Sequence, residues 1–496
     1  MGARRDDIPV VDRMQIGISV LSSRREWGTI TQFAQKYQVS RQAIYAIGTH
    51  VKQVLLNSLK PAPHGPQSAE TVIRVDRNRL VRSVLLLTDV GVSQRDIEFV
   101  LDEMLDTPVS PSWVNSELAQ LERRAAQVNA GWHPAVGEGL AGDELFTAHQ
   151  PNLLVVGNDS LFIYTLTQQS ARDGETWGCV LLEMPPTPQF ASDGGTGLAA
   201  GAAAAGLDAH QLDWDHLLRA LWHEDVQLER QAYAALQAVE ERTHLFEQAH
   251  TEKRLTQHLQ RWEQLQHQAQ AAVQRYDRFH ALAQKVDAEF AMIDLSTGAL
   301  RDAETSATHL AGWGVQVQAL AGRACAVLGT SLSHWAPGLV SYLPRLAQAL
   351  APLVGTWGQP AICALSRLWQ VEAEIRRGQL SFGQRQALER IWRDSLDEAA
   401  RRLGEHLFEV WDLLSAILGR IWRGSMAAEC VNSLLRPRLN TRKHADQGGL
   451  DVFQFLHNTH RFARGKRAQH SPAELAGIVV PADRFTLLGL APKVSI

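Results

Sequence analysis

Cysteine is scarce: Cys179, Cys325, Cys363 and Cys430 are scattered through 496 residues, with no CxxC pair and no zinc-ligand spacing. That pattern excludes a disulfide framework and a thiolate metal site, and leaves reduced thiols as the expectation. Long apolar runs are missing too, none reaching the roughly 18 residues of a membrane span. The opening stretch MGARRDDIPVVDR lacks the apolar core of a signal peptide, so a soluble intracellular chain is expected, with no membrane partner. A large excess of one charge is also absent. The net charge of −4 argues against a surface that coats nucleic acid throughout. Glycines cluster in DGGTGLAAG, but the Lys-Ser/Thr pair of a phosphate-binding P-loop and the dinucleotide fingerprint are both missing.

What is present is ordinary globular material, 45% apolar and 21% charged, in a chain long enough for several domains. Charge is distributed unevenly. Arg420 to Arg467 holds ten Lys or Arg against three acids, and Met1 to Leu56 holds eight against four. Nucleic-acid contact confined to patches at the two ends is therefore open.

Residues 1–60 read as short helices. TITQFAQKYQVSRQAIYAIGTHV carries Phe33, Ala34, Val39, Ile44 and Ile47 at helical spacing, with a break at KYQV and Ser40 as an N-cap. Helix, tight turn and capped helix is the layout of a helix-turn-helix, which makes Arg41, Gln42 and Tyr45 the candidates for DNA contact. A Pro- and Gly-containing linker is expected over 61–76. The theme repeats over 77–130, where Ser93 and Ser110 cap two further helices and Pro111 takes the first helical position of the second. Beyond GWHPAVGEGL, short apolar runs separated by turn residues predict three adjacent strands, then a helix, then a short strand ending at Asp193. From Leu207 to about Arg423 the spacing predicts helix almost throughout, broken near STGALRDAETS and HWAPGLVSYLP. Order only in part is expected of the tail from Ser471.

Three acids stand out by position. Asp143 falls in the first strand, Asp193 at the end of the last, and Glu429 on a late helix followed by Arg436, Arg438, Arg442 and Lys443. A lone carboxylate repels the phosphates that those bases attract, unless a cation lies between. Carboxylates from strand ends and a helix make an all-oxygen site of the kind Mg²⁺ prefers. Two such ions serve phosphodiester chemistry by activating the attacking oxygen and stabilising the leaving one.

The order strand Asp, strand-end Asp, long helical stretch, helix Glu resembles the DDE transposases of bacterial insertion sequences, in particular the Mutator- and hAT-like group. FASDGGTGLAAG resembles the segment around their second aspartate. LDWDHLLRAL resembles their Asp-x-x-His motif, here Asp213 and His216. AAECVNSLLRPRLNTRK, continued by FLHNTHRFARGKRAQHSPAEL, resembles their glutamate helix and basic tail. The context of the first acid, AGDELF, departs from the commoner family pattern, so Asp159 in the next strand stays an alternative to Asp143.

The resemblance implies a multidomain, mostly α protein with an α/β ribonuclease-H-like core over 135–220 and 419–478. An all-helical insertion would occupy 221–418, two helix-turn-helix units would precede the core, and a tail would follow over 479–496. It implies a nucleoid-associated cytoplasmic enzyme that cuts and joins DNA with two Mg²⁺ (or Mn²⁺) held by Asp143, Asp193 and Glu429. Its partners would be double-stranded terminal repeats, target DNA and at least a second copy of the chain. Asp213, His216 and Asn432 would order the site. Arg436, Arg438, Arg442, Lys443, Arg464, Lys466 and Arg467 would hold phosphates, and Trp392 or Trp422 could stack on a displaced base. The alternative is a domesticated, catalytically silent relative that keeps only DNA binding. For His457 and His460 packing or phosphate contact is expected rather than zinc binding, since no second ligand pair follows.

Overall fold

The computed structural model describes residues 7–22, 28–58, 75–134, 137–147, 150–207, 210–248, 252–378, 380–441 and 446–492. Arg442 and Lys443, and most of the expected linker, lie outside them. The chain divides into two units, residues 1–75 and 76–496. It is mostly helical with one small mixed sheet, and among the described residues no helix is long and apolar enough to cross a membrane.

The first unit holds α1 (Val10–Leu21), α2 (Thr29–Lys36) and α3 (Arg41–Ser58). Ile16, Ile30, Ala34, Ile44 and Ile47 are its buried centre. Ser40 caps α3, its Oγ accepting from the Ala43 N–H at 3.2 Å. Two glycines let α1 and α3 touch along their backbones: a Cβ on Gly17 would lie 2.6 Å from Val51, and one on Gly48 2.4 Å from Val20. With Ile44 and Ile47 turned inward, Arg41, Gln42 and Tyr45 are exposed on the opposite side of α3.

The larger unit opens with α4 (Arg77–Asp89), α5 (Gln94–Leu105) and α6 (Pro111–Ala130), the last two capped by Ser93 and Ser110 as expected. The sheet follows, with β1 (Leu140–Thr147), β2 (Gln150–Gly157), β3 (Ile163–Gln168), α7 (Gly174–Leu182), β4 (Phe190–Ser192), α8 (Thr196–Ala204) and β5 (His210–Leu212). Its spatial order is β3-β2-β1-β4-β5; the first three strands are antiparallel, while β4 runs parallel to β1 and β5 parallel to β4. Helix α8 falls on the glycine-rich DGGTGLAAG, and β5 interrupts the stretch from Leu207 for which the spacing predicts helix almost throughout.

A helical mass then runs through α9 (Trp214–Glu247), α10 (Glu252–Glu289), α11 (Ala303–Gln318), α12 (Arg323–Leu339), α13 (Tyr342–Trp357), α14 (Gln359–Arg377), α15 (Phe382–Leu403) and α16 (Leu407–Gly419). Its core includes Leu221, Phe279, Leu332, Tyr342, Leu365 and Leu414. The chain returns to the sheet as α17 (Met426–Thr441) and α18 (Gln447–Thr459), with a short α19 (Pro472–Leu475) beyond.

Strand alternation sets the two faces of the sheet. Ala141 and Leu145 of β1 lie under Ala428, Val431 and Leu435 of α17 and Phe453 of α18. Leu140 on the opposite face meets Trp177, Leu181, Leu198 and Ala202 of α7 and α8. The C-terminal segment is built into the fold well past Ser471. Phe485 and Leu488 are buried against α4, α6 and α18. The Arg82 guanidinium, 6% exposed, donates to Asp483 Oδ1 and Oδ2 at 2.9 and 2.7 Å and to the Ala491 carbonyl at 2.5 Å.

Candidate active site

Parallel pairing of β1 with β4 aligns Gly142 with Ser192, so the next residue on each strand is an aspartate, Asp143 and Asp193. Sheet parity places Asp143 between Ala141 and Leu145 on the face covered by α17. Its neighbour Glu144 turns to the other face, where it accepts from the Trp177 indole at 2.6 Å. Burial, reinforced by the Asp193 carboxylate, pushes Asp143 up from an ordinary 3.8 to about 6, against the opposing pull of Asn432 and Arg436. Asp159 lies elsewhere. It follows the end of β2 and is perturbed by burial and Glu138, with Arg420, Lys466 and Arg467 countering. Of the two alternatives for the first acid, Asp143 is the one that feels Asp193.

The glycines after Asp193 have steric reasons. A Cβ on Gly194 would lie 2.5 Å from the Trp335 ring, and one on Gly197 would lie 1.9 Å from the Arg172 carbonyl oxygen. The Gly195 N–H donates to Asp193 Oδ1 at 3.2 Å, which closes the turn.

Helix α17 is tied to this corner at two points. Asn432, 1% exposed, donates its amide to Asp143 Oδ2. At the N-terminus of α17, Asp213 Oδ2 accepts from the Ser425 N–H at 2.9 Å and from its Oγ at 2.6 Å. Burial opposes ionisation of Asp213, but hydrogen bonds from His216 and Ser425 outweigh it and hold the acid down at about 2. Gly424 leaves room for this contact, since a Cβ there would lie 2.6 Å from Asp213 Oδ1.

His216 bridges two acids. Its Nδ1 is 3.1 Å from Asp213 Oδ2 and its Nε2 is 3.2 Å from Glu429 Oε1, and the Asp213 hydrogen bond raises its pKa. Glu429 also accepts from Arg219 Nη2 at 2.9 and 3.0 Å. Arg219 in turn grips Asp215 at 2.8 Å through Nε and 2.5 Å through Nη2. The partners of Glu429 are thus Arg219 and His216. Among the described residues no group of three or more His, Cys, Asp or Glu is set to hold a metal ion in this arrangement. Sequence reasoning missed Arg219. Its signal was its place one turn past His216 on the same helical face.

Asp143 and Asp193 fit a hard divalent cation. Asp143 is buried and its ionisation is opposed by the charge of the half-buried Asp193, and Asn432 Oδ1 is buried without a hydrogen-bond partner. Glu429 lies one turn before Asn432 on α17, held by Arg219 and His216.

The basic residues divide by role. Arg436 is exposed and near enough to Asp143 to lower its pKa. Arg464 and Lys466 are exposed. Arg438 is held by Asp89 at 3.0 and 3.1 Å and lies over the Phe453 ring. Arg467 donates to the Asp159 and Asn158 carbonyls at 2.6 and 3.1 Å. Of the two tryptophans, Trp392 packs on the helical core with its indole N–H 3.5 Å from Glu372, while Trp422 lines an open groove. His457 is buried against Phe453, with Nε2 2.9 Å from the Leu161 carbonyl oxygen, and burial holds its pKa near 4, so it packs as a neutral ring. No protein-family model matches the chain, and no curated protein matches it.

Proposed function

We propose that the protein is a DDE-type DNA transposase, cutting at element ends and joining the freed 3′-hydroxyl to target DNA. One observation carries the reading: β1 and β4 bring Asp143 and Asp193 to adjoining positions beneath the helix that bears Glu429 and Asn432. The sheet order, three antiparallel strands followed by two parallel ones reached through helices, supports a ribonuclease-H-like core. The α2-turn-α3 unit, with Arg41, Gln42 and Tyr45 exposed, supports a helix-turn-helix reader of end sequences.

In this mechanism Asp143, Asp193 and Glu429 would hold two Mg²⁺ or Mn²⁺. Bound there, the ions supply Lewis-acid activation of the attacking oxygen and charge stabilisation for the leaving one. Asn432 fixes the Asp143 carboxylate, and Asp213, through Ser425, fixes the start of α17. Arg436 stands where a phosphate would approach Asp143. Neither aspartate has a nucleophilic role, so no covalent enzyme intermediate forms.

Asp193→Asn should abolish cleavage of cognate ends while leaving end binding within a fewfold of wild type. Pre-cut ends separate a transposase, which yields joined product, from a plain nuclease, which yields none. Cleavage at the normal rate by Asp193→Asn would refute the assignment. A catalytically silent DNA-binding relative is the second reading, and the pairing of Glu429 with Arg219 favours it. Under it, wild type binds ends and makes no cut.

A further inference from the structure

The geometry points to Arg219 as a positioning residue that withholds Glu429 from the two aspartates until a phosphodiester backbone enters the neighbouring groove. The inference rests on the reading of Asp143, Asp193 and Glu429 as cation ligands.

Glu429 has both carboxylate oxygens on one guanidinium nitrogen, Arg219 Nη2, at 2.9 and 3.0 Å. A carboxylate so engaged is a poorer ligand, because its lone pairs and charge are already met. The helix beneath it has little freedom to bring the acid closer. Asn432 is fastened to Asp143, Ser425 to Asp213, and Ala428, Val431 and Leu435 are buried against the sheet. What can turn is the Glu429 side chain, which is 30% exposed.

Arg219 is the more exposed partner, held also by Asp215. Its side chain is 54% exposed and it lines a groove of about 950 Å³ together with Trp222, Trp422, Lys466 and Arg467, with Asp215 and Asp287 as opposing acids. Lys466 and Arg467 give the groove a basic wall, and the tryptophans give it flat apolar surface. A phosphate presents the same bidentate acceptor geometry to a guanidinium as a carboxylate does. A backbone phosphate in the groove therefore competes with Glu429 for Arg219, which leaves His216 Nε2, 3.2 Å away, as the remaining hold on the acid before it turns toward Asp143 and Asp193. DNA entry and completion of the ligand set become one event.

The test is Mn²⁺ affinity of the full-length chain, read from the paramagnetic resonance of free Mn²⁺, with and without a short random-sequence DNA duplex whose own Mn²⁺ binding is subtracted. Wild type should bind Mn²⁺ roughly fivefold or more tightly when the duplex is present, within the usual range for coupled sites. Arg219→Ala should reach that tighter affinity without duplex and gain nothing on its addition. The Arg219→Ala/Glu429→Gln double variant should lose the gain, a result that a merely structural role for Arg219 would not produce. Arg219→Ala binding no more tightly than wild type, with Asp193→Asn still weakening binding, overturns the inference and leaves the metal site standing. Asp193→Asn binding Mn²⁺ as well as wild type overturns both.

Discussion

Asp143→Asn should make the protein more stable, not less, in the absence of divalent cations. A carboxyl whose folded pKa is raised from 3.8 to about 6 holds its proton more tightly in the fold than in the unfolded chain. At 1.36 kcal/mol per pH unit this is a penalty of about 3 kcal/mol on the charged form. Asp143 is 9% exposed, so solvent screening removes little of it. The sign follows from linkage: the penalty is absent below pH 3.8, grows as pH rises toward 6, and is complete above. Asparagine carries no charge, and its amide oxygen can still accept from Asn432. Urea unfolding in EDTA, followed by tryptophan fluorescence, should find the variant more stable by up to about 3 kcal/mol at pH 8, with the two proteins converging near pH 4. Adding Mg²⁺ at a hundred times its Kd should stabilise wild type by about 2.7 kcal/mol and the variant by much less. A variant less stable than wild type across the whole pH range in EDTA would refute the reasoning, because Asp143 would then be gaining from its charge rather than suffering from it.

Asp483→Ala should cost about 3–5 kcal/mol in the same unfolding assay, because it strands the buried Arg82 guanidinium; an unchanged midpoint would show that the C-terminal segment does not hold α4. Arg41→Ala should weaken DNA binding by the isolated residues 1–60 and lower the salt slope of log K by about one. An unchanged slope would remove Arg41 from the interface.

Much of the site is legible in the sequence because its signals are local. The strand carrying Asp143 and the strand ending at Asp193 are bounded by turn residues, and Asp213 and His216 lie three residues apart on one helix. The resemblance implies Asn432 as a residue that orders the site, while its contact with Asp143 comes from the fold. What escaped the sequence depends on distant packing. Arg219 meets Glu429 across 210 residues of chain, a separation that no helical period encodes. Strand β5 is three residues long, too short to alternate visibly, and its identity comes from pairing with β4. The hold on the tail is equally long-range: Arg82 and Asp483 fasten it across 401 positions. Arg438 read as a phosphate contact because its neighbours are basic, while the fold supplies Asp89 as its partner.

The most direct test replaces Mg²⁺ with Fe²⁺ and maps where locally generated hydroxyl radicals cut the polypeptide in the presence of duplex DNA. Cuts clustered near residues 143, 193 and 429, lost in Asp193→Asn, are the predicted result. Cuts elsewhere in the chain, or a pattern indifferent to Asp193, would contradict a cation site at the junction of β1, β4 and α17.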